Sequence, residues 1–333
     1  MKKASIVVSE PYQKNKLFDL DDKVINRDNC MYPFYLLKKE FEINSINLST
    51  QDINSLEDAE IVIYNDMPQE LPKTKYINKS YLLIFESELI RSDNWDFDKH
   101  KYFHKIFTWK DDIIDNKKYF KFNFSQEIPN KINKNLENKD KLCTLIAGHK
   151  QNKHPLELYS KRIEAIRWFE NNHQNDFDLY GIGWDKFSSS NKYINYIVYG
   201  FKLASLCSPK YSSYKGKVNN KNNTLEKYKF TICYENGKDI SGYITEKIFD
   251  CLFAGSIPIY WGANNILEHI PQNCFIDKKL FKNYEDLYHF IINMKDNTYL
   301  EYLENIEKFL NSDKIKQFSS ESFAKVITKN ILN

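Results

Sequence analysis

"YKFTICYENGKDISGYITEKIFDCLFAGSIPIYWG", residues 228–262, carries the densest structural signal in the chain. Residues 228–235 form a short apolar run rich in β-formers and read as a strand. Residues 243–254 read as a helix. Ile244, Ile248, Cys251 and Leu252 fall at i, i+4, i+7 and i+8, an apolar stripe suited to packing on a sheet. Tyr243, Lys247 and Asp250 share another face, with Glu246 beside them. Gly255 stands where a helix ends in the left-handed conformation, and 256–262 is again a strand. The intervening loop "ENGKDISG" has two glycines and opens directly into the helix. Unpaired N–H groups at a helix start attract phosphate, and Lys247 adds a full positive charge one turn inside. Asn236 and Glu246 are placed to hold hydroxyls of a ribose or sugar. Residue by residue, the same features also fit a solvated helix start.

Strand and helix signals alternate outward from this unit. In the second half, strands are expected at 142–148 and 177–184, with an amphipathic helix over 156–170. A polar stretch from 188 to 223, partly helical around 193–201, reads equally as a substrate loop or a surface insertion. In the first half, strands are expected at 4–8, 60–64 and 81–85, with a helix near 32–41. Residues 129–141 lose apolar periodicity, as a linker does, and the chain beyond 283 is helical with polar faces. The expected organisation is a first domain over 1–128, a linker over 129–141, a second domain over 142–315 and a helical tail over 316–333 that packs back on the first domain. This is an α/β fold of two Rossmann-like units facing a cleft, with ligands outside the carboxyl ends of the strands.

Composition bounds the chemistry. Lys and Arg number 48 against 45 Asp and Glu, too even a balance for a general nucleic-acid binder, though it leaves room for a local cationic pocket. No two of the six cysteines form a C-x-x-C pair, and Cys143, Cys233 and Cys251 lie in apolar runs, so free core thiols in a reducing compartment are expected. The start, "MKKASIVVSE", reads as a first strand and not a signal peptide. No run of eighteen apolar residues occurs, so no membrane-spanning helix is expected. His100 and His104 are read as surface residues, since no H-E-x-x-H pattern surrounds them. The Asp-x-Asp triplets at 19–21, 96–98 and 176–178 are read as chance or solvated turns.

The order Tyr-Lys-Phe, Glu-Asn, Tyr-Ile-Thr-Glu-Lys and Gly-x-x-Pro, followed by "ILEHIPQNCFIDKKLF", resembles the signature of the α1,3/4-fucosyltransferases of glycosyltransferase family ten. The resemblance implies a GT-B architecture and an inverting transfer of L-fucose from GDP-β-L-fucose to a glycan hydroxyl. It implies donor-binding roles for Asn236, Tyr243, Glu246 and Lys247, and for an arginine on the first helix of the second domain. Arg162 is the best match for that arginine, with Arg167 and Lys150 as alternatives. It also implies a catalytic base in a Glu-Ser pair of the first domain, here Glu86 with Ser87, Glu88 being a near neighbour. Protein cations meeting the diphosphate make a metal ligand set unnecessary, without excluding stimulation by divalent ions. The implied partners are GDP-fucose and an oligosaccharide or lipid-linked glycan, such as a bacterial lipopolysaccharide, but not nucleic acid. The implied place is the cytoplasm, with room for peripheral contact at the inner face of the membrane. Gly237 stands where the family has a serine, and the loop to Tyr243 is longer. Rival readings are another nucleotide sugar, or a catalytically inactive carbohydrate-binding relative.

Overall fold

The computed structural model describes residues 1–187, 193, 196 and 208–333. The expected helical turn around 193–201 falls largely outside these residues, and so does Cys207. Strands β1 (Lys2–Val7), β2 (Ile46–Thr50), β3 (Ile61–Asn65), β4 (Ser80–Ile84), β5 (Lys105–Thr108) and β6 (Tyr119–Lys121) form one sheet in the order β2-β1-β3-β4-β5-β6. Strands β7 (Lys141–Ile146), β8 (Phe177–Tyr180), β9 (Tyr228–Tyr234), β10 (Ile257–Trp261) and β11 (Ile276–Asp277) form a second, in the order β11-β10-β9-β7-β8. Every pairing between these strands is parallel. Counted from its own first strand, each sheet begins 2-1-3-4-5. Both therefore reverse direction between their first and third strands, β1/β3 and β7/β9, which is where an open α/β sheet leaves a crevice.

The strands look as buried parallel strands should. All of β4 and most of β3 are buried, with no polar alternation, because helices cover both faces. The helices whose bounds lie among the described residues are α1 (Tyr32–Ile43), α2 (Phe97–His100), α3 (Tyr159–Asn172), α4 (Lys221–Leu225), α5 (Glu246–Phe253), α6 (Ile266–His269), α7 (Tyr284–Ile292), α8 (Asp296–Leu310) and α9 (Ser320–Leu332). None is long and apolar enough to cross a membrane, among the described residues.

Two cores result, one around each sheet. Ile132, between the sheets in sequence, enters the second core, and Lys139 Nζ donates to the carbonyls of Glu226 and Ala254. Helix α9 joins the first core through Phe323, Ala324, Ile327 and Ile331, with Phe323 edge-on to Phe34 of α1 at 5.7 Å. The chain crosses between the halves twice, at neighbouring points. Gln126 N donates to the Phe318 carbonyl (2.8 Å), and Ser320 N donates to the Gln126 carbonyl (3.0 Å).

Candidate active site

The carboxyl ends of the two sheets enclose adjoining hollows. One, of ≈ 790 Å³, lies against the ends of β7 and β9 and the start of α5. The other, of ≈ 1280 Å³, lies against the ends of β1, β3 and β4. Glu86, Phe124, Lys221 and Glu246 line both, so the hollows form one cleft between the sheets. Each sheet thus opens at its own reversal point.

On the second-sheet side, the structure corrects the reading of residues 243–254. Helix α5 begins at Glu246 with Thr245 as its N-cap, and Lys247 is its second residue rather than one turn inside. Tyr243 therefore shares no helical face with Lys247. Gly242 (φ +75°) turns the chain, and extended Thr245 (φ −104°, ψ −175°) delays the helix by three residues. At the other end Gly255 (φ +61°) behaves as expected, its N–H and that of Ser256 donating to the Leu252 and Cys251 carbonyls.

The start of α5 is organised by a residue that pattern reading passed over. Glu235, fully buried at the end of β9, accepts from Thr245 N (2.8 Å) and Thr245 Oγ1 (2.7 Å). Lys247 Nζ lies 3.3 Å from the Glu235 carboxylate and 3.4 Å from that of Glu246, and donates to Thr245 Oγ1 (2.9 Å). Burial opposes the lysine's charge, but Glu246 and Glu235 together hold its pKa above the ordinary range. Burial would likewise raise the Glu246 carboxyl, yet Lys247 and Lys221 hold it down to about 2. The result is a fixed ammonium at the N-terminus of a helix, an arrangement that binds an anion.

Arg162 lines the same hollow, and one of its nitrogens braces the loop after β9. It is 4% exposed, and its Nη2 donates to the Tyr234 carbonyl (2.7 Å), the Glu235 carbonyl (2.9 Å) and Asn236 Oδ1 (3.1 Å). Its other nitrogens make no hydrogen bond among the described residues. Asn236 Nδ2 in turn donates to the Tyr243 hydroxyl (3.3 Å). Arg162, Asn236 and Tyr243 are thus one strut that fixes the loop after β9. Tyr243 belongs to the core of the other half, packed on Trp109 (4.8 Å between centroids) and Phe124. Of the alternatives to Arg162, Lys150 lines the cleft, whereas Arg167 pairs with Glu170 (2.6 Å) and lies on the Tyr211 ring.

On the first-sheet side, Glu86 follows β4 and its backbone is fastened all round. Its N–H donates to Asp66 Oδ1 (3.2 Å), and its carbonyl accepts from Asn94 Nδ2 and Trp95 Nε1 (both 3.1 Å). Its carboxylate has no hydrogen-bond partner among the described residues and lines the cleft. Burial, and then the neighbouring Asp66 carboxylate, push its pKa up, against Lys150 and Lys247. Asp66, at the end of β3, also accepts from Phe85 N (2.8 Å) and Asn94 Nδ2 (2.8 Å). A half-buried carboxylate with a raised pKa and an unengaged face is suited to accept a proton. Glu88 is exposed and lines neither hollow.

Other expectations need revision. His100 is not a surface residue: it is 1% exposed, Nδ1 facing the Tyr119 hydroxyl (2.9 Å) and Nε2 the Asn94 carbonyl (2.8 Å). Its helix stops there, so His104 lies off it and exposed. Cys143, Cys233, Cys251 and Cys274 are buried free thiols, but Cys30 is exposed. No cluster of three or more potential metal ligands occurs among the described residues.

Two parallel sheets of one strand order, meeting across such a cleft, are the GT-B architecture of glycosyltransferases. Residues 136–328, more than half of the chain, match the model for glycosyltransferase family 10 (fucosyltransferase) C-term, and the chain belongs to that family. The α-(1,3)-fucosyltransferase of Helicobacter pylori is 36% identical over 113 residues, 33% of this chain and 23% of that protein. An α-(1,4)-fucosyltransferase of Arabidopsis thaliana is 35% identical over 80 residues, 23% of this chain and 20% of that protein. The matched stretches therefore span less than a quarter of these relatives. The crystal structure of an α1,3-fucosyltransferase with GDP-fucose shares the fold at TM-score 0.54 and 15% identity, covering 100% of this chain and 90% of that one. A glycosyltransferase from Rickettsia africae does so at TM-score 0.53 and 11% identity, covering 100% and 99%.

Proposed function

We propose that this chain is an inverting fucosyltransferase that moves L-fucose from GDP-β-L-fucose to a hydroxyl of a glycan. The observation that carries the reading is the position of Glu86, which lines both hollows and faces the cationic start of α5 across the cleft. In this reading the half containing residues 1–128 takes the acceptor, and residues 142–315 take the donor. The acceptor is an oligosaccharide or lipid-linked glycan reached at a cytoplasmic or membrane-peripheral site.

The chemistry follows from the placement. An alcohol attacking the anomeric carbon opposite the diphosphate must lose its proton, and Glu86 accepts it. The raised pKa of Glu86 makes it a stronger base once ionised. The C–O bond to the diphosphate breaks as the new glycosidic bond forms, which inverts the anomeric centre. Charge then grows on GDP, where Lys247, Lys150 and the N–H groups of α5 stabilise it. Arg162 and Asn236 hold the loop that shapes the donor pocket, and Glu246 orients a sugar hydroxyl. The diphosphate charge is met by protein cations, so transfer should persist in EDTA, with any loss reflecting stimulation and not a requirement.

The test is mass spectrometry of products from GDP-fucose and a panel of N-acetylglucosamine-containing and glucose-containing acceptors. A mass gain of one deoxyhexose, with release of GDP, supports the reading. Transfer from another nucleotide sugar in preference, or binding of glycan with no turnover, replaces it with one of its rivals.

A further inference from the structure

The loop after β9 does not end its contacts in its own half. Gly242 is pressed against the other one: a Cβ built there would lie 2.2 Å from the Trp109 carbonyl oxygen and 2.7 Å from Asp111 Oδ2. Its N–H donates to Asn265 Oδ1 (2.9 Å), from the residue that precedes α6. Asn265 Nδ2 then donates to Asp111 Oδ2 (2.9 Å), which also accepts from His269 Nε2 (3.0 Å). Asp111 Oδ1 is 2.6 Å from Lys121 Nζ, itself bonded to the Trp109 carbonyl (2.6 Å). One carboxylate of the first half thus takes hydrogen bonds from two side chains of the second, beside the glycine that turns the loop. Next along the loop, Tyr243 lies on Trp109, whose indole N–H donates to the Phe85 carbonyl (2.8 Å), one residue before Glu86.

We infer that Asn265 and Asp111 are positioning residues for the transfer: together they seat the loop 236–245 only when the two halves are closed, so that the anion cradle at α5 and the carboxylate of Glu86 come into register at the same time. This rests on the donor-site reading above. The side-chain amide is the element that makes the link specific. Its oxygen accepts from Gly242 while its nitrogen donates to Asp111 and also to Glu268 Oε2 (3.1 Å) of its own half, so it reads both halves at once. Neither residue lines the hollows, and neither is placed to touch substrate.

The decisive experiment compares N265D, D111N and the exchanged pair N265D/D111N with the wild type. Asn265→Asp keeps the acceptor for Gly242 but sets a carboxylate against Asp111, so the loop tether survives while the link between halves becomes repulsive. We expect the donor KM to rise and kcat to fall, together lowering kcat/KM for GDP-fucose by about 30-fold, with the acceptor KM unchanged within twofold. The exchanged pair again sets an amide against a carboxylate across the halves but takes the carboxylate from Lys121 and His269, so it should recover only part of the loss, exceeding N265D in kcat/KM by about threefold or more. GDP binding is measured in parallel by calorimetry, and folding by thermal melts. If N265D binds donor and turns over like wild type, or if the exchanged pair recovers its melting temperature but no kcat/KM, the positioning role is overturned. If the wild type itself binds no GDP, the donor-site reading fails instead, whatever the variants do.

Discussion

At the carboxyl end of the second sheet the chain sets Lys150, Lys247 and, beneath them, Arg162. At the corresponding end of the first it sets Asp66 and Glu86. The strand order is the same in both, and so is the reversal point that opens each crevice. The side chains at the strand ends differ in charge, and the way each is held differs too. Lys247 is clasped by two carboxylates and a hydroxyl, a point charge fixed in place. Glu86 is held only by its backbone, and its carboxylate is left open beside a second acid. One fold can therefore supply both a leaving-group cradle and a base, because architecture fixes where strand ends meet and not what they carry.

Four measurements would break or sharpen that contrast. The largest effect is expected from Glu86→Gln, which should lower kcat by roughly 10²–10⁴-fold while GDP affinity stays within about twofold. Wild-type turnover in that variant would remove the base from the first half. Lys247→Ala should cost about 10²–10³-fold in kcat/KM for the donor, because it removes the fixed charge and leaves Glu235 buried without its cation. Arg162→Ala should act first on the fold. Three oxygen atoms lose a charged donor, so urea or thermal unfolding should show a loss of about 3 kcal/mol, and an unchanged midpoint would refute the strut. The smallest effect concerns pH. Glu86 must be ionised to act, so the rate should rise with pH through its raised pKa. Asp66→Asn removes a like charge, lowers that pKa and should move the acid limb of the kcat profile to lower pH. A limb that stays put, or moves upward, would show that Asp66 does not tune Glu86.

The stretch 228–262 showed how much of this can be read locally. Its two strands and the stop at Gly255 follow from short-range periodicity and turn chemistry and are present, as is the apolar stripe over Ile248, Cys251 and Leu252, while Ile244 falls before the helix. Lys247 could be picked out because it stands at a helix start that follows a strand end, whereas Glu86 was legible through the family resemblance, its place after β4 only agreeing with the crevice rule. Asp66 follows β3 in the same way and could have been found by applying that rule to "IVIYND". What stayed hidden depends on contacts distant in sequence. Tyr243 looked like a helical residue because nothing nearby shows that Trp109 receives it. Glu235 reads in the sequence only as the end of a strand and part of the Glu-Asn pair, since its complete burial becomes visible only when Thr245 and Lys247 close over it. His100 looked exposed because its partners, Tyr119 and Asn94, come from other elements.

The seating of α9 against α1 carries a consequence for synthesis. Phe34, Leu37 and Phe41 of α1 belong to the first half's core, yet part of their cover comes from the 13 residues of α9, which follow the whole second half in sequence. A nascent chain emerging from the ribosome would therefore have an unsealed apolar surface on its earliest-made half until the second half had been translated. Maturation of the two halves is then not strictly vectorial, and a chaperone that shields α1 would have the longest time in which to act.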